Sequence, residues 1–171
     1  MLYLYCGEVM DIKLEQINMN TGIDGLEVLN EIAGDDTVFG ESPIPEEIDE
    51  YLYKGFLLLS EEESLDESNP IYRYFIVKDN SKIGYADINM SVSSNIGIVL
   101  LKKYRSMGLG KVVFSKLLEE AYDKGLDDIV VATDKDNVKM RNLCTSMGGN
   151  LTDIDGRCHY TFKNKKTIKK R

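Results

Sequence analysis

The residues whose types and spacing best suit chemistry lie together at Arg105-Ser106-Met107-Gly108-Leu109-Gly110, where an apolar strand pattern gives way to a helical one. A helix N-terminus presents unpaired N–H groups and a partial positive charge, and so favours phosphate. Glycines at 108 and 110 remove side chains that would hold an anion away from the backbone. Lys102, Lys103, Arg105 and Lys111 bracket the same turn. They do so in an acidic chain of 171 residues, in which 29 Asp and Glu against 21 Lys and Arg leave a net charge of −8. Six of the basic residues fall in the last nine positions, so the rest of the chain carries 15 basic against 29 acidic side chains. That local reversal of sign points to an anionic ligand.

Rival nucleotide motifs fit poorly. A P-loop needs four residues between its glycines and a Lys-Ser/Thr pair, whereas the order here is Gly110-Lys111-Val112. A dinucleotide fingerprint needs a third glycine where Val113 stands. Taken alone, the two-glycine pattern is equally a turn that merely joins strand to helix.

The elements that must position this loop follow from periodicity. Residues 1–16 suggest one or two short strands, Met1–Cys6 being apolar but lacking the basic flank and length of a secretion signal. Gly25–Ala33 reads as a short helix stopped by Gly34, and Glu41–Pro45 as a turn. Ile48, Leu52, Phe56 and Leu59 recur at the helical period, which predicts a helix over about 46–62. Ile71–Lys78 and Ile83–Met90 read as strands joined by the polar Asp79–Lys82, and Ile96–Leu101 as a third. Gly110–Lys124 is an amphipathic helix stopped by Gly125. A buried strand at Asp128–Thr133, a helix at Asn137–Ser146 and a hairpin of Asn150–Ile154 with Arg157–Lys163 complete the order. This is an α/β domain with a helix-crossed parallel pair in a largely antiparallel sheet.

The remaining composition excludes more than it assigns. The apolar fraction of 43% suits a globular domain, and no apolar run approaches the ~20 residues of a membrane helix. Three cysteines without CxxC spacing (Cys6, Cys144, Cys158) predict neither a disulfide framework nor a zinc site, and reduced thiols fit a cytoplasmic setting. The acidic body repels nucleic acid and membrane. The Lys163–Arg171 tail reads either as a solvated terminus or as an RNA contact.

Arg105-x-x-Gly108-x-Gly110, after its strand and before its helix, resembles the acetyl-CoA motif of the GCN5-related N-acetyltransferases (GNAT). The resemblance runs from Ile76 to Leu151 and includes Asp136-Asn137 at the next helix. Pro70–Tyr74 and Gly148-Gly149 are similar to a bacterial branch of small predicted acetyltransferases. It implies a single domain over residues 1–162 with residues 163–171 as a tail. The implied sheet has about six to seven strands, mostly antiparallel with a splayed parallel pair, flanked by about four helices. It implies transfer of an acetyl group from acetyl-CoA to an amine of a small molecule or peptide, with no metal, by a monomer or homodimer. Main-chain groups of Ile98, Val99 and Leu100 would pair with the pantetheine arm. The N–H groups of Ser106, Met107, Gly108, Leu109, Gly110 and Lys111 would cradle the pyrophosphate, with Arg105 adding charge. Asn137 would contact the pantetheine or position its helix.

Acid–base roles stay open. Cys144 stands where many members carry a proton-donating tyrosine; its thiol can donate, and free Cys is also a common small core residue. Tyr160 is a second donor candidate, and His159, whose imidazole could serve as a base, faces the opposite side of the same strand. Asp87 is a candidate base or water-positioning acid, or simply a polar residue on a sheet face. The acids Glu46, Glu47, Asp49, Glu50, Glu61–Glu63, Asp66 and Glu67 fall where, by the resemblance, the family's early helices wall the acceptor site. They suggest a cationic amine or, alternatively, a solvated face. A catalytically silent acyl-CoA sensor or scaffold is the alternative function.

Overall fold

A computed structural model describes residues 4–5, 8–9, 11–39, 47–91 and 94–164. The turn expected at Glu41–Pro45, Cys6 and the basic tail beyond Asn164 lie outside these residues. The strands are β1 (Leu4–Tyr5), β2 (Glu8–Val9), β3 (Ile12–Gln16), β4 (Ile71–Lys78), β5 (Ser81–Asn89), β6 (Ile96–Leu100), β7 (Asp128–Asp134), β8 (Asn150–Asp155) and β9 (Arg157–Lys163). The helices are α1 (Asp24–Ala33), α2 (Asp36–Phe39), α3 (Glu50–Ser64), α4 (Leu109–Asp123) and α5 (Val138–Ser146).

Two antiparallel sheets carry the domain, ordered β3-β4-β5-β6 and β7-β9-β8, beside a small β1-β2 pair. The pair expected to be splayed is β6 and β7. Each is the edge of its own sheet, and no ladder joins them among the described residues. The α4 crossover links them in sequence.

Alternation along each strand sends side chains to two layers. Tyr74 and Ile76 of β4, Ala86 and Ile88 of β5, Ile129 and Val131 of β7, and Tyr160 and Phe162 of β9 pack with α4 and α5. Val113, Phe114 and Leu117 of α4 are fully buried there, with Phe114 set edge-on to Phe162 at 5.3 Å between ring centroids. On the opposite layer Phe75 and Leu101 pack with Val28 and Ile32 of α1 and Tyr53 and Leu57 of α3.

Three local differences from the sequence reading have physical causes. Helix α3 starts at Glu50, because Asp49 accepts the Leu52 N–H at 2.8 Å and caps it. Its buried stripe is Tyr53, Leu57 and Ser60, while Leu52 and Leu59 are about half exposed. Both stripes have helical spacing, and Tyr53 decides between them by burying its ring and donating its hydroxyl to the Gly22 carbonyl at 2.7 Å. The β4–β5 turn is the two residues Asp79 and Asn80, at φ of 49° and 64°, which matches the twist of a tight hairpin.

Candidate functional site

The opening between β6 and β7 is closed at one end and open at the other. Asn95, just before β6, donates its N–H to the Val130 carbonyl at 2.6 Å, and its Oδ1 accepts the Val130 N–H at 2.8 Å. Ser94 accepts the Ala132 N–H at 3.0 Å. Asn95 Nδ2 also donates to the Asn89 carbonyl, so one buried amide fastens the two sheets together. Beyond this fastening β6 runs on as a free edge.

The register of β6 decides which backbone groups that edge offers. The bonds Asn89 N–H to Asn95 O and Leu101 N–H to Ile83 O turn residues 95, 97, 99 and 101 towards β5. The N–H and carbonyl of Ile98 and Leu100 therefore point to the opening, while those of Val99 are used in the ladder. Of the three residues expected to meet a pantetheine arm, Ile98 presents both groups. The Leu100 carbonyl accepts from Arg105 Nε at 2.7 Å.

After β6 the chain makes a 3-10 turn, Lys102–Tyr104, and then a loop in which Ser106 and Gly108 take left-handed φ of 63° and 76°. Gly108 is the N-cap of α4 and supplies no side-chain cap. Helices α3 and α5 are closed by their own Asp49 and Asn137 oxygens, whereas the first N–H groups of α4 are left open. Helix α1 also lacks a side-chain cap, but Asp24 and Glu27 sit in its first turn. The first turn of α4 carries no acid and one exposed lysine, Lys111. Open N–H groups without a neighbouring acid suit an anion. A Cβ on Gly110 would come no nearer than 3.8 Å to Leu143, so this glycine keeps the cradle's outer side clear and is not required by packing.

On the α3 side of the sheet Asp87 lies across β5 from Arg73 and across β6 from Gly97. A Cβ on Gly97 would sit 2.9 Å from the Asp87 carboxylate, so only glycine lets that carboxylate rest over β6. Burial raises the Asp87 pKa, opposed by a hydrogen bond from Tyr85, the charge of Arg73 and the Gly97 N–H. Arg73 is itself ion-paired to Glu63 of α3 and lies 5.9 Å from the Phe56 ring centroid. A carboxylate whose proton affinity burial raises, one strand from the opening, can accept a proton from an incoming group.

A family model described as "Acetyltransferase (GNAT) family" matches residues 31–148. The chain belongs to the GNAT acetyltransferases. No curated protein sequence matches it, but solved structures share the GNAT fold. Spermidine N-acetyltransferase from Vibrio cholerae, in complex with CoA and spermine, aligns at a TM-score of 0.68 with 13% identity, over 92% of this chain and 98% of that one. Campylobacter jejuni N-acetyltransferase PseH with acetyl coenzyme A gives 0.64 and 16%, over 90% and 99%. The Thermoplasma acidophilum PaiA N-acetyltransferase with coenzyme A gives 0.65 and 16%, over 91% and 100%.

Within this GNAT fold the three residues considered for acid–base work do not converge. Asp87 faces the α3 layer. Cys144 and Tyr160 belong to the α4–α5 core, at 0% and 4% exposure. Burial pushes the Cys144 thiol up to about 11. Tyr160 takes a hydrogen bond from Arg141 of α5. Asn137 caps α5, its Oδ1 accepting the Met140 N–H at 3.1 Å.

The GNAT loop also spends its cations differently from the sequence reading. Arg105 pairs with Asp35 and Lys103 with Glu31, leaving exposed Lys102 and Lys111 nearest the open helix end. The acids near α3 have local tasks as well: Glu61 accepts the Met19 N–H, Glu63 holds Arg73, and Asp66 accepts the Ser68 N–H. Sequence reasoning passed over Arg73, Tyr85 and Asn95. Tyr85 was accessible from its i, i+2 relation to Asp87, which puts both on one strand face. No helix among the described residues is long and apolar enough to cross a membrane.

Proposed function

We propose that the chain transfers an acetyl group from acetyl-CoA to a primary amine of a small molecule or peptide, by direct attack within a ternary complex. The observation that carries this reading is the uncapped, acid-free N-terminus of α4 beside a β6 edge on which Ile98 offers its N–H and carbonyl. The first is suited to a pyrophosphate and the second to a pantetheine amide, at the two ends of one strand-to-helix unit.

Bound acetyl-CoA supplies an activated thioester carbonyl. The chain's part is to hold it and to manage protons. The N–H groups of Leu109, Gly110 and Lys111 hold the phosphates, and Ile98 holds the arm against β6. An alkylammonium acceptor has a pKa of roughly 10 and must lose a proton before it attacks. Asp87, directly or through one water, takes that proton. The amine nitrogen then bonds to the acetyl carbon as the carbon–sulfur bond breaks, the nitrogen releases its second proton to solvent to leave the neutral amide, and the departing thiolate is protonated from solvent. Positioning and hydrogen bonding to the developing oxyanion supply the remaining acceleration. The spermine in the Vibrio complex supports a cationic amine as the first acceptor class to try.

Thermal shift with acetyl-CoA, CoA and ATP tests the binding half. A ligand at 100 times its Kd should stabilise the fold by about 2.7 kcal/mol. Acetyl-CoA and CoA are expected to shift the wild type and ATP to do less. Thiol release against amine and carboxylate panels tests the transfer half, and turnover of carboxylates alone sinks the amine reading. Tight binding without release from any amine favours an acyl-CoA sensor.

A further inference from the structure

We infer that Arg105 is a positioning residue of the cofactor cradle, acting through Asp35, and not a ligand of the phosphates. This rests on the binding site proposed above, but its geometry stands in the unliganded chain. Each guanidinium nitrogen donates one of these bonds: Nε to the Leu100 carbonyl at 2.7 Å, Nη1 to Thr37 Oγ1 at 2.8 Å, and Nη2 to Asp35 Oδ2 at 2.6 Å. The partner carboxylate is deeply placed, its side chain 6% exposed, and its other oxygen accepts the Thr37 N–H at 3.0 Å and hydroxyl at 2.6 Å. The Thr37 hydroxyl, opposed by burial and reinforced by the Thr37 N–H and Arg105, holds the Asp35 carboxyl below its usual range. Swinging Arg105 out to a phosphate would strand this buried carboxylate without its countercharge, which is strongly disfavoured.

The position of this contact gives it a purpose. Arg105 immediately precedes Ser106, a non-glycine residue at φ 63°, and Gly108 at φ 76° follows two residues later. A left-handed non-glycine residue persists where its surroundings over-determine it. The Arg105 fork supplies that determination by fixing the loop at once to the end of β6 and to the α1–α2 junction. Lys103, paired to Glu31 of α1 at 3.2 Å, adds a second tie. The cradle N–H groups are thus aimed before any ligand arrives, and binding need not order them. The same contact connects the cofactor loop to the helices on the Asp87 side of the sheet.

The test is a cycle of Arg105→Gln, Asp35→Asn and the double variant, with two readouts. In the unliganded chain, hydrogen exchange of the first hydrogen-bonded amides of α4, Val112–Phe114, should quicken in both single variants and no further in the double, while β4 and β5 amides report an intact fold. Titration with CoA should show each single variant weakened about tenfold and the double no weaker than either. The dependence of CoA affinity on salt should keep its wild-type slope, because no phosphate contact has been lost. Arg105→Lys should fail to rescue, since an ammonium cannot reproduce the fork. The inference is overturned if Asp35→Asn leaves CoA affinity unchanged or improved while Arg105→Gln weakens it and flattens the salt dependence. It is likewise overturned by amide exchange that ignores Asp35. A wild type that does not bind CoA, with exchange behaving as expected, overturns the site reading and leaves the strut standing as a structural contact.

Discussion

The two layers against the sheet differ in what they bury. Under α4 and α5 lies a continuous apolar core that takes in Phe114, Leu117, Ile129, Val131, Cys144, Tyr160 and Phe162. Under α1 and α3 the apolar cluster is smaller and is interrupted by Arg73, Tyr85, Asp87 and Glu63, and by Asp35 with Arg105. Buried charges are retained at a cost unless their partners are well placed. Concentrating them on one layer leaves the other free to supply stability. On the proposed reading, folding and proton chemistry fall on opposite faces of the β3–β6 sheet, of which β6 is one edge.

Removing bulk from the stabilising layer should have the largest effect. Phe114 is fully buried against Phe162, so Phe114→Ala is expected to lose about 3–5 kcal/mol in chemical denaturation. A loss below about 1 kcal/mol would mean that the α4 layer does not carry the fold.

The chemical layer should answer differently to its central change. Asp87→Asn is expected to lower kcat/KM by roughly 10²–10⁴ while stability moves by about 1 kcal/mol or less. The pH profile fixes the sign. Burial raises the Asp87 pKa, and the base form is the ionised one, so wild-type activity should rise with pH through a value above about 3.9. An Asn variant with full activity and the wild-type profile removes Asp87 from the mechanism.

The fastening between the two sheets should fall next. Asn95→Ala strands the Val130 N–H and the Asn89 carbonyl, and should lose about 1–3 kcal/mol. Hydrogen exchange should then quicken at β7 before β4, because β7 is the edge that Asn95 protects. Uniform quickening across both sheets would show that the fastening is not local.

How much of this was legible in the sequence follows from the range of each interaction. The β6–α4 loop was readable because its glycines, its cations and the change of period lie within ten residues. Asn137 was readable for the same reason, as the cap of the helix that it opens. The Arg105–Asp35 contact spans 70 positions, and nothing local marks it. Opposition of Arg73 and Asp87 was hidden more subtly. The hairpin turn pairs Lys78 with Ser81, which by simple counting would set Arg73 opposite Ala86. An irregularity between Ile76 and Val77 shifts the pairing by one residue and brings Asp87 opposite Arg73 instead. Neither the bulge nor the parity that turns Ile98 outward and Val99 inward is written in composition or period. Helix α3 was foreseen, but it starts at Glu50 and is rotated, since both of its stripes carry apolar residues at helical spacing.

Cys144 gives the smallest predicted effect and the sharpest division between the layers. It occupies the helix position at which a proton-donating tyrosine is expected, yet it sits in the apolar core with its thiol pushed up to about 11 by burial. If the layers divide their work as described, Cys144→Ala should lose about 1 kcal/mol of stability, comparable to one buried methylene-sized group. It should change kcat by less than about twofold at any pH. A thiol that delivered the proton would instead leave a variant whose kcat falls by tenfold or more and whose fall shrinks as pH drops and solvent takes over the donation. Cys144→Ser separates packing from proton delivery. It restores an O–H donor but places an ill-matched polar group in the core, so it should be less stable than Cys144→Ala without being more active. A serine variant more active than the alanine variant would bring the α4–α5 layer into the chemistry and end the division.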